Sequence, residues 1–449
     1  MSLVKILLTV TALMFGHYVN AQSVTLVPGT LVSGLICPAL KPKPATIKPP
    51  SDGLVFEPPD DEEIASLNLS SVSIPQNDFS PSLLSKLRGN PLRVALWGDS
   101  HTAARFFSDE LVKSFVANPD SVLPTFIPPL IGRAGVRLPI NKSCVGPSWK
   151  YEYAYRGNSS VNFAKGLAKM TTDTADSYIW VDFSIPKAAA KLKSLHVLYT
   201  SLEVSHPVTL ALSIDNGPEQ EVTLDKTNLG VLKIASETHF SILKLRLLQG
   251  SISIDGFVPE YSKSADVYFD TLGIPGATGV AWKNMDPQYF QMQGFGESYD
   301  LVIFEYGTNE GNQRPFNIAA YSSNLRLQFA NMRKLYPQSA CILIGPTDRG
   351  VLLRRAAKKT KKQPASPKEL LTFSKVHDDI SQAQKNIGRE YDCLFWSWQD
   401  EMGGLGGAYK WLRRSPPLMA RDLTHLTVDG YQQSARDFSK SFQLKDLGR

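Results

Sequence analysis

Leu92-Arg-Val-Ala-Leu-Trp-Gly-Asp-Ser-His101 is a buried strand followed by a sharp Gly-Asp-Ser turn. Its first six residues are too apolar, and the run too short, for a surface helix. Three further runs of the same kind lie downstream: Leu301–Tyr306, Cys341–Gly345 and Cys393–Trp398. Asp266–Leu272 is a weaker fifth. Short runs without polar alternation belong to parallel strands covered on both faces. Helix-like stretches, Asn317–Leu335 and Pro367–Gly388, separate the later runs. Strands alternating with helices predict an open α/β sheet with ligands at the carboxyl ends of its strands. Ser100 and Asn309 both fall just past such ends.

Outward from this frame the pattern changes. Residues 146–262 are short, β-rich segments: Ser177–Ile185, Leu195–Tyr199, Val208–Ile214, Glu221–Leu224, Val231–Ile234, Ile242–Leu248 and Ile252–Phe257. Asp215-Asn-Gly217 is a hairpin turn signal. The spacing predicts an all-β sandwich inserted between residues 81–145 and 263–449 of the α/β domain. Trp149, Tyr151, Tyr153, Tyr155 and Trp180 are candidates for stacking on sugars, with core packing the more economical assignment. Residues 22–80 carry Lys41-Pro-Lys-Pro44, Pro49-Pro50 and Pro58-Pro-Asp-Asp-Glu-Glu63, which predict an extended, solvated leader. Before it, Lys5, the apolar run Ile6–Phe15 and Val19-Asn-Ala21 form a signal-peptide pattern, with cleavage after Ala21. That run is shorter than the ~20 residues a spanning helix needs. The expectation is therefore an exported protein, periplasmic or fully secreted, without stable membrane insertion after cleavage.

The 449-residue chain is 43% hydrophobic and 20% charged, with net charge +6. This is ordinary globular composition, suited to an acidic polymer and not to nucleic acid. The cysteines are Cys37, Cys144, Cys341 and Cys393, which allow three connectivities. Cys341 and Cys393 both open apolar runs expected to be neighbouring strands, which favours that pair. The chain has no Cys-x-x-Cys and no His-Glu-x-x-His, so neither metal nor cofactor is expected. The basic run Arg354–Lys362 is a solvated helix face or loop, or a flank of the ligand site.

Ester hydrolysis needs an oxygen nucleophile, a base and donors for the oxyanion. Ser100 stands at a strand-to-helix turn. Asp422-Leu-Thr-His425, near the end of the chain, offers a base with an orienting carboxylate. Taken singly, Gly-Asp-Ser is a common helix cap and Asp-x-x-His a common surface pair. Tyr306-Gly-Thr-Asn-Glu310 supplies the Asn309 amide, and Gly273-Ile-Pro-Gly-Ala-Thr-Gly279 the Gly276 N–H, as oxyanion donors; both stretches also suit ordinary turns. His101 adjoins Ser100 but should point along the helix and not act as base. A neutral imidazole is required, so activity should fall as the pH drops through about 6.5.

Together these four blocks, in this order, resemble the SGNH (GDSL-type) hydrolase family. Gly98-Asp-Ser-His101 has histidine where leucine often stands, and Gly307-Thr-Asn-Glu310 has glutamate where aspartate is common. The resemblance covers roughly residues 90–145 and 265–440 and implies a three-layer, flavodoxin-like parallel sheet. It implies Ser100 as nucleophile and Asp422 and His425 as its triad partners. Ser100 N–H, Gly276 N–H and Asn309 would form the oxyanion hole. The inserted sandwich and Met402-Gly-Gly-Leu-Gly-Gly407 with Trp411 are similar, more narrowly, to the bacterial peptidoglycan O-acetylesterases, whose insert is carbohydrate-binding-module-like. That similarity implies an acetylated glycan as partner, with muramoyl O-acetyl groups as substrate. Three alternatives stay open at this level: an O-acetyltransferase using the same acyl-enzyme, a deacetylase of xylan or alginate, and a non-catalytic wall-binding protein.

Overall fold

The apolar runs do become one sheet. The computed structural model describes residues 20–30, 33–38, 54–67, 87, 91–156, 163–201, 207–227, 229–283, 285, 298–356 and 365–444. Six parallel strands are β1 (Leu92–Gly98), β2 (Val122–Leu123), β3 (Val267–Gly273), β4 (Leu301–Glu305), β5 (Ala340–Ile344) and β6 (Leu394–Trp396). They lie in the order β6-β5-β4-β1-β3-β2.

Both faces are covered, which is why the runs lack polar alternation. Leu92, Val94 and Leu96 of β1 join Leu301, Ile303 and Ile342 in one core. Ala95 and Trp97 join Val302, Phe304 and Leu343 in another. The first core is closed by helix Val428–Ser441 through Tyr431 and Phe438. Helices Ile318–Leu335 and Thr372–Glu390 close the second through Phe329, Ile380 and Ile387. The result is three layers. Because β1 has β3 on one side and β4 on the other, the strand order reverses at its carboxyl end, which opens a crevice there.

Between β2 and β3 the chain builds most of the sandwich, to which a strand preceding β1 adds one border. One sheet holds Asn20–Thr25, Gly230–Phe240, Leu192–Ser201, Ile252–Tyr261, Ala168–Thr172 and Lys150–Tyr153, in that order. The other holds Gln220–Leu224, Val208–Ile214, Ile242–Gln249, Tyr178–Asp182 and Lys142–Val145. Val197, Tyr199, Leu212, Leu245 and Ile254 fill the space between them. The sandwich is fastened to the parallel sheet by a buried lysine. Lys165 Nζ lies 3.4 Å from Asp270 Oδ2 of β3 and donates to Tyr299 Oη at 2.8 Å. The indole of Trp97 in β1 donates to Lys165 O at 2.9 Å.

Three expectations need correction. The segment 22–80 is not simply a solvated leader: Asn20–Thr25 pairs in parallel with Gly230–Phe240, and Leu26 and Leu35 are buried. Leu54–Glu57 pairs with Leu353–Ala356, and Asp60 caps a short helix, Asp61–Ala65. Proline-rich punctuation hid these short apolar stretches, whose partners are far away in sequence. The sandwich also begins earlier than residue 146, with Lys142–Val145. The basic run opens as a strand, since Arg354 and Arg355 face Phe56 and Val55; residues 357–364 lie outside the described residues. So does the signal-peptide stretch 1–19, and Ala21 itself stands within the first strand.

The disulfides are Cys341–Cys393, the favoured pair, and Cys37–Cys144, which ties the early segment to the sandwich. Of the aromatic candidates, Tyr153 is buried, and Trp149 donates its indole N–H to Tyr178 O at 3.1 Å. Among the described residues no helix is long and apolar enough to cross a membrane.

Candidate active site

Ser100 opens a one-turn helix, Ser100–Ala103, directly after β1. The turn is tight for a specific reason. A Cβ on Gly98 would meet Glu305 Oε2 at 2.6 Å and Glu305 O at 2.8 Å, so no larger residue fits beside β4. Asp99 caps the helix, its Oδ1 accepting from His101 N at 2.9 Å. The Gly-Asp-Ser turn is thus a helix cap, as that motif commonly is.

Some three hundred residues later the chain returns to this turn. Ala420 N donates to His425 O at 2.8 Å, closing a loop whose Leu423 has a left-handed φ of 55°. Gly350 N donates to Leu423 O at 3.0 Å and anchors the loop against the segment that follows β5. Within it, Asp422 Oδ1 accepts from Thr424 N at 3.0 Å and His425 N at 2.9 Å. Asp422 Oδ2 lies 2.8 Å from His425 Nδ1, and His425 Nε2 lies 2.9 Å from Ser100 Oγ. With Nδ1 donating to the carboxylate, Nε2 is left as an acceptor for the serine hydroxyl. Serine, imidazole and carboxylate therefore form one unbroken line.

The remaining two residues come from the neighbouring strands. Gly276 follows β3 with φ 82°, a conformation that suits glycine, and its N–H has no acceptor among the described residues. Asn309 follows β4, and its Nδ2 donates to Asp99 Oδ2 at 3.0 Å and Ala277 O at 2.9 Å. Both amide hydrogens are thus engaged, and a substrate oxygen would have to share or displace one of these acceptors. Glu310 stitches the two loops, its Oε1 accepting from Gly279 N at 2.8 Å and its Oε2 from Gly307 N at 3.1 Å. A glutamate here reaches across to the glycine loop; the sequence showed the residue but not this reach.

Electrostatics follow from the burial. Hydrogen bonding to Asp422 raises the His425 imidazole above its ordinary range, against burial, which lowers it. Burial raises the Asp422 carboxyl, but its bonds from the His425 ring, His425 N–H and Thr424 N–H outweigh this and hold it well below the usual range. Beneath the serine, Asp99 and Glu305 form a buried carboxyl pair. Glu305 Oε2 accepts from Asp99 N at 3.2 Å and Thr102 Oγ1 at 3.0 Å. Burial pushes Asp99 up to about 6 and Glu305 well above its ordinary value, with each carboxyl acting on the other. This pair was missed; its only signal was a glutamate ending an apolar strand.

His101 is fully buried, its Nδ1 3.0 Å from Tyr431 Oη, and burial drives its imidazole well below the ordinary value. Its ring centroid is 5.4 Å from that of His425, so it is a neutral wall behind the base. Among the described residues, no group of three His, Cys, Asp or Glu side chains is arranged to hold a metal ion.

No family model and no curated relative matches the chain. Solved structures do. A peptidoglycan O-acetylesterase superposes with TM-score 0.59 at 22% identity, covering 80% of this chain and 93% of that one. A GDSL-like lipase from Parabacteroides merdae gives TM-score 0.29 at 14% identity, covering 40% of this chain and 73% of that one. A family two carbohydrate esterase from Clostridium thermocellum, in an active-site mutant form, gives 0.26 at 10%, covering 66% and 97%. Only the first superposition is close enough to carry weight. With the parallel sheet, the inserted sandwich and the serine-bearing turn, it gives this chain the fold of an SGNH-type hydrolase.

Proposed function

We propose that this protein is an exported serine carbohydrate esterase that removes O-acetyl groups from a bacterial glycan, O-acetylated peptidoglycan first among them. The observation that carries the reading is the continuous line from Asp422 through His425 to Ser100 Oγ, at 2.8 and 2.9 Å. The similarity in fold to a peptidoglycan O-acetylesterase supports the choice of glycan.

In this reading Ser100 Oγ attacks the acetyl carbonyl carbon while its proton passes to His425 Nε2. Asp422 keeps the Nδ1 proton in place and stabilises the imidazolium. The oxyanion develops between Ser100 N–H, Gly276 N–H and the Asn309 amide. Collapse breaks the bond to the sugar oxygen, which takes the proton from His425 and leaves as a hydroxyl. Water then attacks the acetyl-enzyme with the same base, and acetate leaves. Every proton in this sequence moves through one imidazole.

Replacing Ser100 by Ala should abolish hydrolysis of p-nitrophenyl acetate and acetate release from O-acetylated peptidoglycan, with an unchanged circular dichroism spectrum. Undiminished turnover in that variant would overturn the reading.

A further inference from the structure

Beside the triad stand two arginines that the hydrolytic reading does not use. Arg349 occupies the segment after β5, next to Gly350, which is bonded to the triad loop. Its Nη1 donates to Asn312 Oδ1, in the turn that starts at Asn309. It therefore bridges the segments that carry His425 and Asn309. Arg314 lies at the end of that turn, its Nη1 donating to Gly311 O at 3.2 Å and Gln313 O at 3.3 Å. The two guanidiniums share one aromatic ring: Arg349 Cζ is 4.0 Å and Arg314 Cζ 4.5 Å from the centroid of Phe373.

Neither guanidinium has a carboxylate within 4.0 Å among the described residues. The acid that acts on Arg349 is Asp422, whose two oxygens are already committed to His425 and Thr424. Two like charges held over one ring repel each other, as Arg314 does Arg349. Stacking on Phe373 offsets part of that repulsion. A carboxylate bound by these guanidiniums would offset the rest, with the forked donors that arginine presents to such a group. Arg349 is half-buried and Arg314 exposed, so one is firmly held and the other accessible to solvent.

We infer that Arg349 and Arg314 form a carboxylate-binding subsite that selects acetylated glycans bearing an acidic group near the ester. This rests on the esterase reading and narrows its substrate class. The acid is either a sugar-ring carboxylate or the carboxylate of a peptide stem on the glycan.

The test compares kcat/KM on three substrates at low ionic strength: O-acetylated alginate oligomers, O-acetylated muropeptides with intact stems, and neutral O-acetylated xylo-oligosaccharides. The wild type should favour one or both acidic substrates by about tenfold or more over the neutral one. Preference for alginate assigns the ring carboxylate, and preference for muropeptides the stem. Arg314→Gln and Arg349→Gln should each remove most of that preference, and Arg314→Lys should restore part of it. Raising NaCl to about 0.5 M should shrink it in the wild type, since exposed charge pairs are screened. Because Arg314 is exposed, its variants and the salt series remain decisive should Arg349→Gln fold poorly. Equal turnover of acidic and neutral glycans, or a preference untouched by both arginine variants and by salt, overturns the inference. Failure of the esterase reading looks different: simple esters would then be cleaved equally well by Ser100→Ala.

Discussion

At Asp422 the structure predicts that the more conservative substitution does more harm. Asp422 Oδ1 accepts two backbone N–H groups, and Oδ2 faces His425 Nδ1. In Asp422→Ala the imidazole loses a charge-assisted bond of about 1.5–3 kcal/mol, or roughly 10- to 150-fold in rate. The ring keeps its choice of tautomer, since water can accept from Nδ1. In Asp422→Asn the amide oxygen must stay with the two backbone donors, which turns the NH₂ toward Nδ1. The ring proton is then forced to Nε2, the atom that has to accept from Ser100. Flipping the amide would strand both backbone donors at about 1 kcal/mol each, the low end because the loop is open to water. The wrong tautomer is thus favoured by about 2 kcal/mol, a further loss of roughly 30-fold. We expect kcat/KM on p-nitrophenyl acetate at pH 8 to fall in the order wild type, Asp422→Ala, Asp422→Asn. An Asn variant as active as the Ala variant would refute the argument.

Other outcomes follow from the same geometry. The base must be neutral, and the bond to Asp422 raises its proton affinity, so the acid limb of kcat/KM should lie above about 6.5, with activity lost as pH falls through it; a limb at or below that value counts against His425 as base. Gly276→Ala puts a side chain at φ 82° and 3.3 Å from Tyr155 Oη, costing about 1–2 kcal/mol at the loop. Steady-state kinetics should show kcat and kcat/KM falling together by about tenfold, with KM little changed. Lys165→Met deprives the buried Asp270 carboxyl of its ammonium partner, although Thr125 N and Phe126 N still donate to it. A loss of about 3 kcal/mol is expected in a urea titration, near the low end for a broken buried pair.

The sheet was legible because parallel strands advertise themselves: Leu92–Trp97, Leu301–Tyr306 and Cys341–Gly345 are apolar on both faces, and no other short element needs that. Helix Asn317–Leu335 was found to within a residue. The site residues were readable as types in an order. Their approach was not, since nothing local says that Asp422-Leu-Thr-His425 returns to Ser100. What stayed hidden was polar and long-range. Asp99 and Glu305 touch only because β1 and β4 are adjacent, Glu310 reaches across to Gly279, and Arg349 and Arg314 meet on Phe373. The first strand was missed for a similar reason, because Asn20–Thr25 is a strand only in the presence of residues 230–235.

That first strand bears on how the protein can be trimmed. Starting the chain at the serine-bearing strand would spare every residue in the Asp422–His425–Ser100 line, yet it would strip the border off one sheet and leave Cys144 with a lone thiol. Such a shortened product presents a bare row of N–H and C=O groups along Gly230–Phe240 and, at the border of the other sheet, an unpaired sulfur. Both invite a second molecule, so shortened preparations should accumulate as cross-linked aggregates before any defect in chemistry is seen.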